Sequence, residues 1–226
     1  MERRSWRPGS RLERLRASYT YGLVLVLIAI TYAFIVALPD ERWARAILVL
    51  TQGATLVLAL WTSGFAWARA AVIVAVVTGS MAILQIVVGG STVRGLNALS
   101  EVVLVIATIV VIGLGVFDQR DIDRKSVTGA VCIYLYLGIL FTFAYGAEAA
   151  FGSGAFFAQG TDGTPADRIY FSYVTLATLG YGDYTAAGQP GRTFAIAESV
   201  LGQLYLVTVI ALLVSRLGQP ARQRAG

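Results

Sequence analysis

The sequence predicts an all-α membrane protein with six transmembrane helices and one short re-entrant helix and loop between the fifth and sixth. Three observations predict it. Of 226 residues, 57% are hydrophobic and only 14% charged, and the mean hydropathy is +0.70. Six separate apolar runs have membrane-crossing length. Between the last two lies a glycine-rich segment with helix-start signals that is too short to cross. A water-soluble core of this length has no use for so much apolar surface.

The six runs occupy residues 19–38, 46–67, 70–88, 99–117, 127–151 and 193–217, each close to the roughly 17 to 25 residues that a crossing helix needs. The first run has no small-residue cleavage site after it, so it is expected to remain as a span and not to be removed as a signal peptide. The second and third are separated only by residues 62–69, where Ser63, Gly64 and Arg69 mark a tight turn. A merged pair is the alternative there.

Orientation follows from the basic residues. With the N-terminus inside, thirteen Lys and Arg fall on the cytoplasmic side: the six of the first sixteen positions, Arg69, Arg120, Arg124, Lys125, Arg216, Arg222 and Arg224. Arg42, Arg45, Arg94, Arg168 and Arg192 are left outside. This is the asymmetry of the positive-inside rule, and it places a multi-pass protein in the cell membrane with both termini cytoplasmic. The net charge of +5 is thus explained by topology and anionic membrane lipid, with no nucleic-acid partner expected. The chain divides into a basic arm (1–18), a four-helix domain (19–117), a charged linker (118–126), a domain of two spans and the re-entrant segment (127–217), and a short tail (218–226). The linker reads equally well as a solvated loop or a coupling helix. No appended cytosolic ligand-binding domain is expected after the short tail.

The one cysteine, Cys132, stands inside an apolar run and excludes an intrachain disulfide or a cysteine metal site. It reads as a packed thiol. With no histidine in the chain and no cluster of carboxylates placed to relay a proton, an enzyme is not expected, nor an organic cofactor.

The specific chemistry lies in residues 164–183. Thr164 is a good N-cap, Pro165 suits the first helical position, and Asp167 completes the signature of a short helix. The hexapeptide Thr-Leu-Gly-Tyr-Gly-Asp follows at 178–183. A half-span helix and extended glycine-rich backbone are tolerated at membrane depth only when buried in protein or lining a water-filled cavity. The segment is therefore expected to re-enter.

Here the chain resembles the potassium-channel pore family. That family carries Thr, Val or Ile, Gly, Tyr or Phe, Gly, Asp after a pore helix and before a pore-lining inner helix. The resemblance covers roughly residues 127–217: Gly191-Arg192 matches a Gly-Arg pair that opens the inner helix in simple two-helix bacterial channels, and Gly202 falls at their hinge position. Over the first four helices it is one of layout only. The resemblance implies potassium sites at the carbonyls of Thr178, Leu179, Gly180 and Tyr181, with Gly182 completing the strand and no organic cofactor. Gly180 and Gly182 supply the backbone freedom to turn those carbonyls to one axis. It also implies a homotetramer, since one strand offers carbonyls on only one side of an ion. The partners are then K⁺, membrane lipid and three identical subunits.

Leu179 departs from the usual β-branched residue, and Val174 replaces a Glu found in some of these channels. Tyr170 stands where many carry Trp, placed to hydrogen-bond Asp183. The Tyr181 side chain is expected to point away from the axis and brace the filter against the pore helix. Glu198, an ionisable residue in the inner helix, is expected to bond a hydroxyl such as Tyr173 or Thr178; the alternative is a side chain reaching interfacial water. Leu206, Ile210 and Val214 recur at i, i+4 and i+8 below Gly202 and form either a closing stripe or ordinary packing. Gly202 itself reads as a hinge or as a close-packing glycine.

A potassium-selective channel, passive and not voltage-gated, is the reading. A potassium transporter subunit or a non-conducting scaffold with the pore fold is the alternative. Residues 99–117 contain Glu101 and no basic residue, whereas a voltage sensor of this family carries basic residues at every third position of its fourth helix. Gln52 and Gln85, the strongly polar interior groups of the first three helices, are expected to join interhelical hydrogen bonds.

Overall fold

The computed structural model describes residues 21–63, 67–88, 90–117 and 124–211. The basic arm 1–18, most of the linker 118–126, the tail 218–226 and Val214 lie outside the described residues. Eight helical elements follow in order: α1 (Gly22–Ala37), α2 (Arg42–Ser63), α3 (Trp67–Val87), α4 (Ser91–Phe117), α5 (Arg124–Phe151), α6 (Pro165–Leu176), α7 (Gln189–Tyr205) and a π-helical turn, Leu206–Ile210. Among the described residues, α2 to α5 and α7 with its π turn are long and apolar enough to cross a membrane. The equally apolar α1 has 16 described residues, about 24 Å of rise. Several apolar helices of this kind describe a multi-pass membrane protein.

The second and third runs are separate helices, α2 ending at Ser63 and α3 beginning at Trp67. They meet closely, because a side chain at Gly53 would stand 2.7 Å from Thr78 Cγ2. In lipid the association of helices rests on such packing and on interhelical hydrogen bonds, not on expulsion of water. Gln52 takes part in one: the Tyr136 hydroxyl of α5 donates to its Oε1 at 3.3 Å. Gln85 donates from Nε2 to the backbone carbonyl of Val93 at 3.3 Å, tying α3 to α4.

Helix α4 begins at Ser91, not at residue 99, and so carries Arg94 on its first turns. Hydropathy marks where the hydrocarbon begins, while the helix starts earlier, among polar residues. Its longest packed face lies on α5, where Val105, Ile112 and Val116 share a core with Ile28 and Ile35 of α1 and Ile133, Tyr136 and Ile139 of α5. Cys132 is a buried free thiol in the same core. Ile169 of α6 belongs to it too, so the short helix rests directly on the bundle. Helix α1 reaches α6 through Tyr32, whose ring meets that of Tyr173 edge-on at 5.8 Å. Helix α3, by contrast, presents Val72, Ile73, Val76, Ile83 and Val87 outward.

Candidate functional site

The site is built on α6. Thr164 has extended backbone and closes a complete capping box: the Asp167 amide donates to Thr164 Oγ1 at 3.2 Å, and the Thr164 amide donates to Asp167 Oδ2 at 2.7 Å. Two of the first-turn donors that no helix can satisfy internally are thereby satisfied. Pro165 stands in the first turn, where its missing N–H costs nothing. Twelve residues rise only about 18 Å, so α6 is too short to cross a bilayer. One face is held against α5 by Gly138, where an added methyl would lie 2.7 Å from the Tyr173 ring. Tyr173 donates its hydroxyl to the Leu135 carbonyl at 2.7 Å, and Ser172 Oγ lies 2.6 Å from that of Gly138.

Beyond Ala177 the backbone changes hand at alternate residues. Thr178, Gly180 and Gly182 have φ of +56°, +56° and +80°, while Leu179 and Tyr181 between them keep negative φ. Gly180 and Gly182 reach this region freely. Thr178 does not, and it is the only non-glycine with positive φ among the described residues. A β-branched residue there is strained by roughly 1–3 kcal/mol. Its amide, donating to the Thr175 carbonyl at 2.9 Å, and that of Leu179, donating to the Val174 carbonyl at 2.9 Å, hold it in place. The whole stretch from Thr178 to Asp183 is exposed in the protomer. The Leu179 side chain is 57% accessible and that of Tyr181 67%, so its own chain leaves most of Tyr181 uncovered.

A ring of hydroxyls and carboxylates fixes the outer end of this segment. The Tyr170 hydroxyl donates to Asp183 Oδ2 at 2.8 Å, and the Tyr184 hydroxyl to Asp167 Oδ1 at 3.1 Å. These bonds to carboxylates raise the phenol pKa of both tyrosines, so both remain donors near neutral pH. Desolvation opposes ionisation of Asp167, but the Thr164 amide and hydroxyl and the Tyr184 hydroxyl outweigh it and lower its pKa. Gln159, which sequence reasoning missed, donates from Nε2 to the Asp183 carbonyl at 2.6 Å and accepts from the Thr185 amide at 3.4 Å. The loop that carries it is anchored by Phe156 and Phe157, packed with Tyr145, Phe171 and Tyr184. The clustered aromatics at 156–157 were the available signal.

Behind the segment stands α7. Glu198 is fully buried. It accepts from the Tyr145 hydroxyl at 2.5 Å and from Ser172 Oγ at 2.5 Å. Its partners are therefore Ser172 and Tyr145, not Tyr173 or Thr178: Tyr173 points to α5, and Thr178 has already turned out toward the exposed side. Gly202 is also buried, and a methyl group on it would lie 2.5 Å from the Leu176 carbonyl oxygen. Helix α7 thus touches the last turn of α6 backbone to backbone. Of the stripe expected below Gly202, Leu206 is exposed and Ile210 half-buried, both within a π turn over residues 206–210.

The fold and the segment 178–183 describe an apolar helix bundle that carries a short helix and a glycine-rich loop. Residues 131–219 match the family described as "Ion channel". The chain is also similar to the inward rectifier potassium channel Kirbac3.1 of Paramagnetospirillum magnetotacticum, with 31% identity over 107 residues, 47% of this chain and 36% of that protein. The chain thus aligns with about a third of that relative's length. No solved structure matches it significantly. Both matches point to an ion channel and not to an enzyme.

Proposed function

We propose that the chain is one of four identical subunits of a potassium-selective channel that conducts passively across the cell membrane. The observation that carries this is the alternation of backbone hand at Thr178, Gly180 and Gly182. An ordinary strand sends successive carbonyls to opposite sides. Alternating hand brings those of Thr178, Leu179, Gly180 and Tyr181 toward one side, where with the Thr178 hydroxyl they replace the hydration shell of K⁺. Exposure of the stretch supports the fourfold ring, because irregular backbone at membrane depth needs protein or a water-filled axis beside it. In the ring, the exposed Tyr181 packs on a neighbouring copy and Leu179 alters side-chain packing without altering its carbonyl.

Asp183, Tyr170 and Glu198 hold the filter from behind. The six-span topology with both termini cytoplasmic belongs to the same reading, with α1 as the first span. Gating is assigned to the inner helix or the filter. Helix α4 carries Arg94 at its outer end and Glu101, with no further charge among its described residues, which is too little for a voltage sensor. The test is recording from the purified protein in lipid bilayers under bi-ionic K⁺ and Na⁺. Strong preference for K⁺ with block by Ba²⁺ is expected, and equal permeability would overturn the proposal.

A further inference from the structure

A second polar site lies away from the filter, between α4 and the start of α6. It is a cavity of about 90 Å³, lined by Asp40, Arg45, Arg94, Asn97, Glu101 and Arg168 among others. Asp40, Arg45 and Arg94 also border an open groove of about 540 Å³ that runs past Arg42 and Trp43. At the cavity floor, Glu101 and Asn97 are each 3% exposed, and Glu101 Oε1 and Asn97 Oδ1 have no hydrogen-bond partner. Two buried oxygens of this kind demand donors, because an unsatisfied buried acceptor is costly.

The rim has the opposite character. Arg45 and Arg168 lie within electrostatic range of Glu101. Arg45 is paired with Asp40 at 2.7 Å, Arg168 donates to the carbonyls of Asp162 and Gly163, and Arg94 is exposed. A bare metal ion does not fit. The guanidiniums repel it, and the described residues contain no group of three or more His, Cys, Asp or Glu able to hold one. An anion alone leaves the floor unsatisfied. The ligand that matches is one with a small primary ammonium for the floor and an anionic group for the rim.

We propose that this is a binding site for the headgroup of a phosphoethanolamine lipid, its ammonium donating to Glu101 and Asn97 and its phosphate held by Arg94 and the neighbouring guanidiniums. The inference rests on the reading that the bundle is embedded in a bilayer, and it is independent of ion selectivity. The position favours a lipid over a free metabolite. Trp43, exposed beside the groove, is the residue type that settles at the headgroup level. The phosphate is a natural target for guanidinium forks.

The test is native mass spectrometry of the full-length, delipidated protein, titrated with phosphatidylethanolamine, phosphatidylcholine or phosphatidylglycerol. Choline cannot donate an N–H, and glycerol brings no charge to Glu101. Retention of the ethanolamine lipid over the choline lipid by roughly tenfold is expected, the scale of one charge-assisted hydrogen bond. Glu101→Gln should abolish that preference. Arg94→Gln, at an exposed position, should weaken all three lipids and keep the ratio. Equal retention of the lipids, a preference that survives Glu101→Gln, or soluble phosphoethanolamine competing as well as the lipid would each overturn the proposal. Conductance is read separately, so failure here leaves the channel assignment standing and failure there leaves this site standing.

Discussion

Ser172 and Glu198 meet 2.5 Å apart across the contact between α6 and α7, with the Ser172 hydroxyl shared between that carboxyl and the Gly138 carbonyl of α5. Three helices are joined at one side chain. In the proposed channel Glu198 would supply, from the opposite helix, the bracing contact that Val174 does not make on α6.

Replacing Glu198 therefore acts on the filter through its support. Glu198→Ala strands the Tyr145 hydroxyl, while that of Ser172 keeps the Gly138 carbonyl, and should cost about 1–3 kcal/mol, read as a lower melting temperature of the purified protein. Glu198→Gln retains the shape and weakens the bonds. It should change the rate of inactivation in single-channel records while leaving selectivity intact. Unchanged conductance and inactivation in Glu198→Gln would mean that the contact is not a brace.

Tyr170→Phe removes the hydroxyl that holds Asp183, and Gln159→Ala frees the carbonyl of the same residue. Each should shorten open times. The double variant should show less than the sum of the two effects, since both act on one residue; additive effects would separate them.

Gly202→Ala distinguishes packing from hinging. The added methyl meets a backbone oxygen, not a flexible side-chain end, so the last turn of α6 must shift. A loss of stability of about 1–3 kcal/mol is expected, together with impaired conduction. A variant of normal stability with altered open probability would instead identify Gly202 as a hinge.

The α6 cap should show in the acid range. The folded-state pKa of Asp167 lies below its ordinary value, so its contribution to stability is complete above the usual carboxylate range and is lost as pH falls through the lowered value. Thr164→Ala, which removes one partner, should cost about 1 kcal/mol at neutral pH and less at strongly acid pH, where the bond to the carboxylate no longer counts while the N-cap bond from the Asp167 amide remains. Melting curves at the two pH values check this.

Voltage dependence should be shallow. Moving one charge through the field contributes about 2.3 kcal/mol per 100 mV, and α4 has Arg94 on its first turns and a buried Glu101 held among α5 and α6 residues. Steep activation equivalent to several charges per subunit would require charge that these residues do not carry.

What the sequence made legible was local. The capping box spans three residues, the Tyr170 to Asp183 bond thirteen, and the glycines of 178–183 announce their own backbone. The partners of Glu198 were not legible, because Ser172 is 26 residues away and Tyr145 is 53, and several hydroxyls in α5 and α6 were equally plausible before their rotation was known. The clamp at Gln159 depends on a loop whose shape is set by aromatic packing. The stripe through Leu206 and Ile210 assumed an uninterrupted α-helix, and the π turn broke that assumption. The unusual φ of Thr178 is likewise imposed by neighbours, against the preference of its own side chain.

The π turn at Leu206–Ile210 also bears on how the inner helix can move. It stores one residue more than an α-helical turn would use. Returning it to α geometry advances everything that follows by one position, a rotation of about 100°, while the backbone stays hydrogen-bonded throughout. In the proposed channel a twist at this turn would serve where a bend at Gly202 above it is otherwise needed.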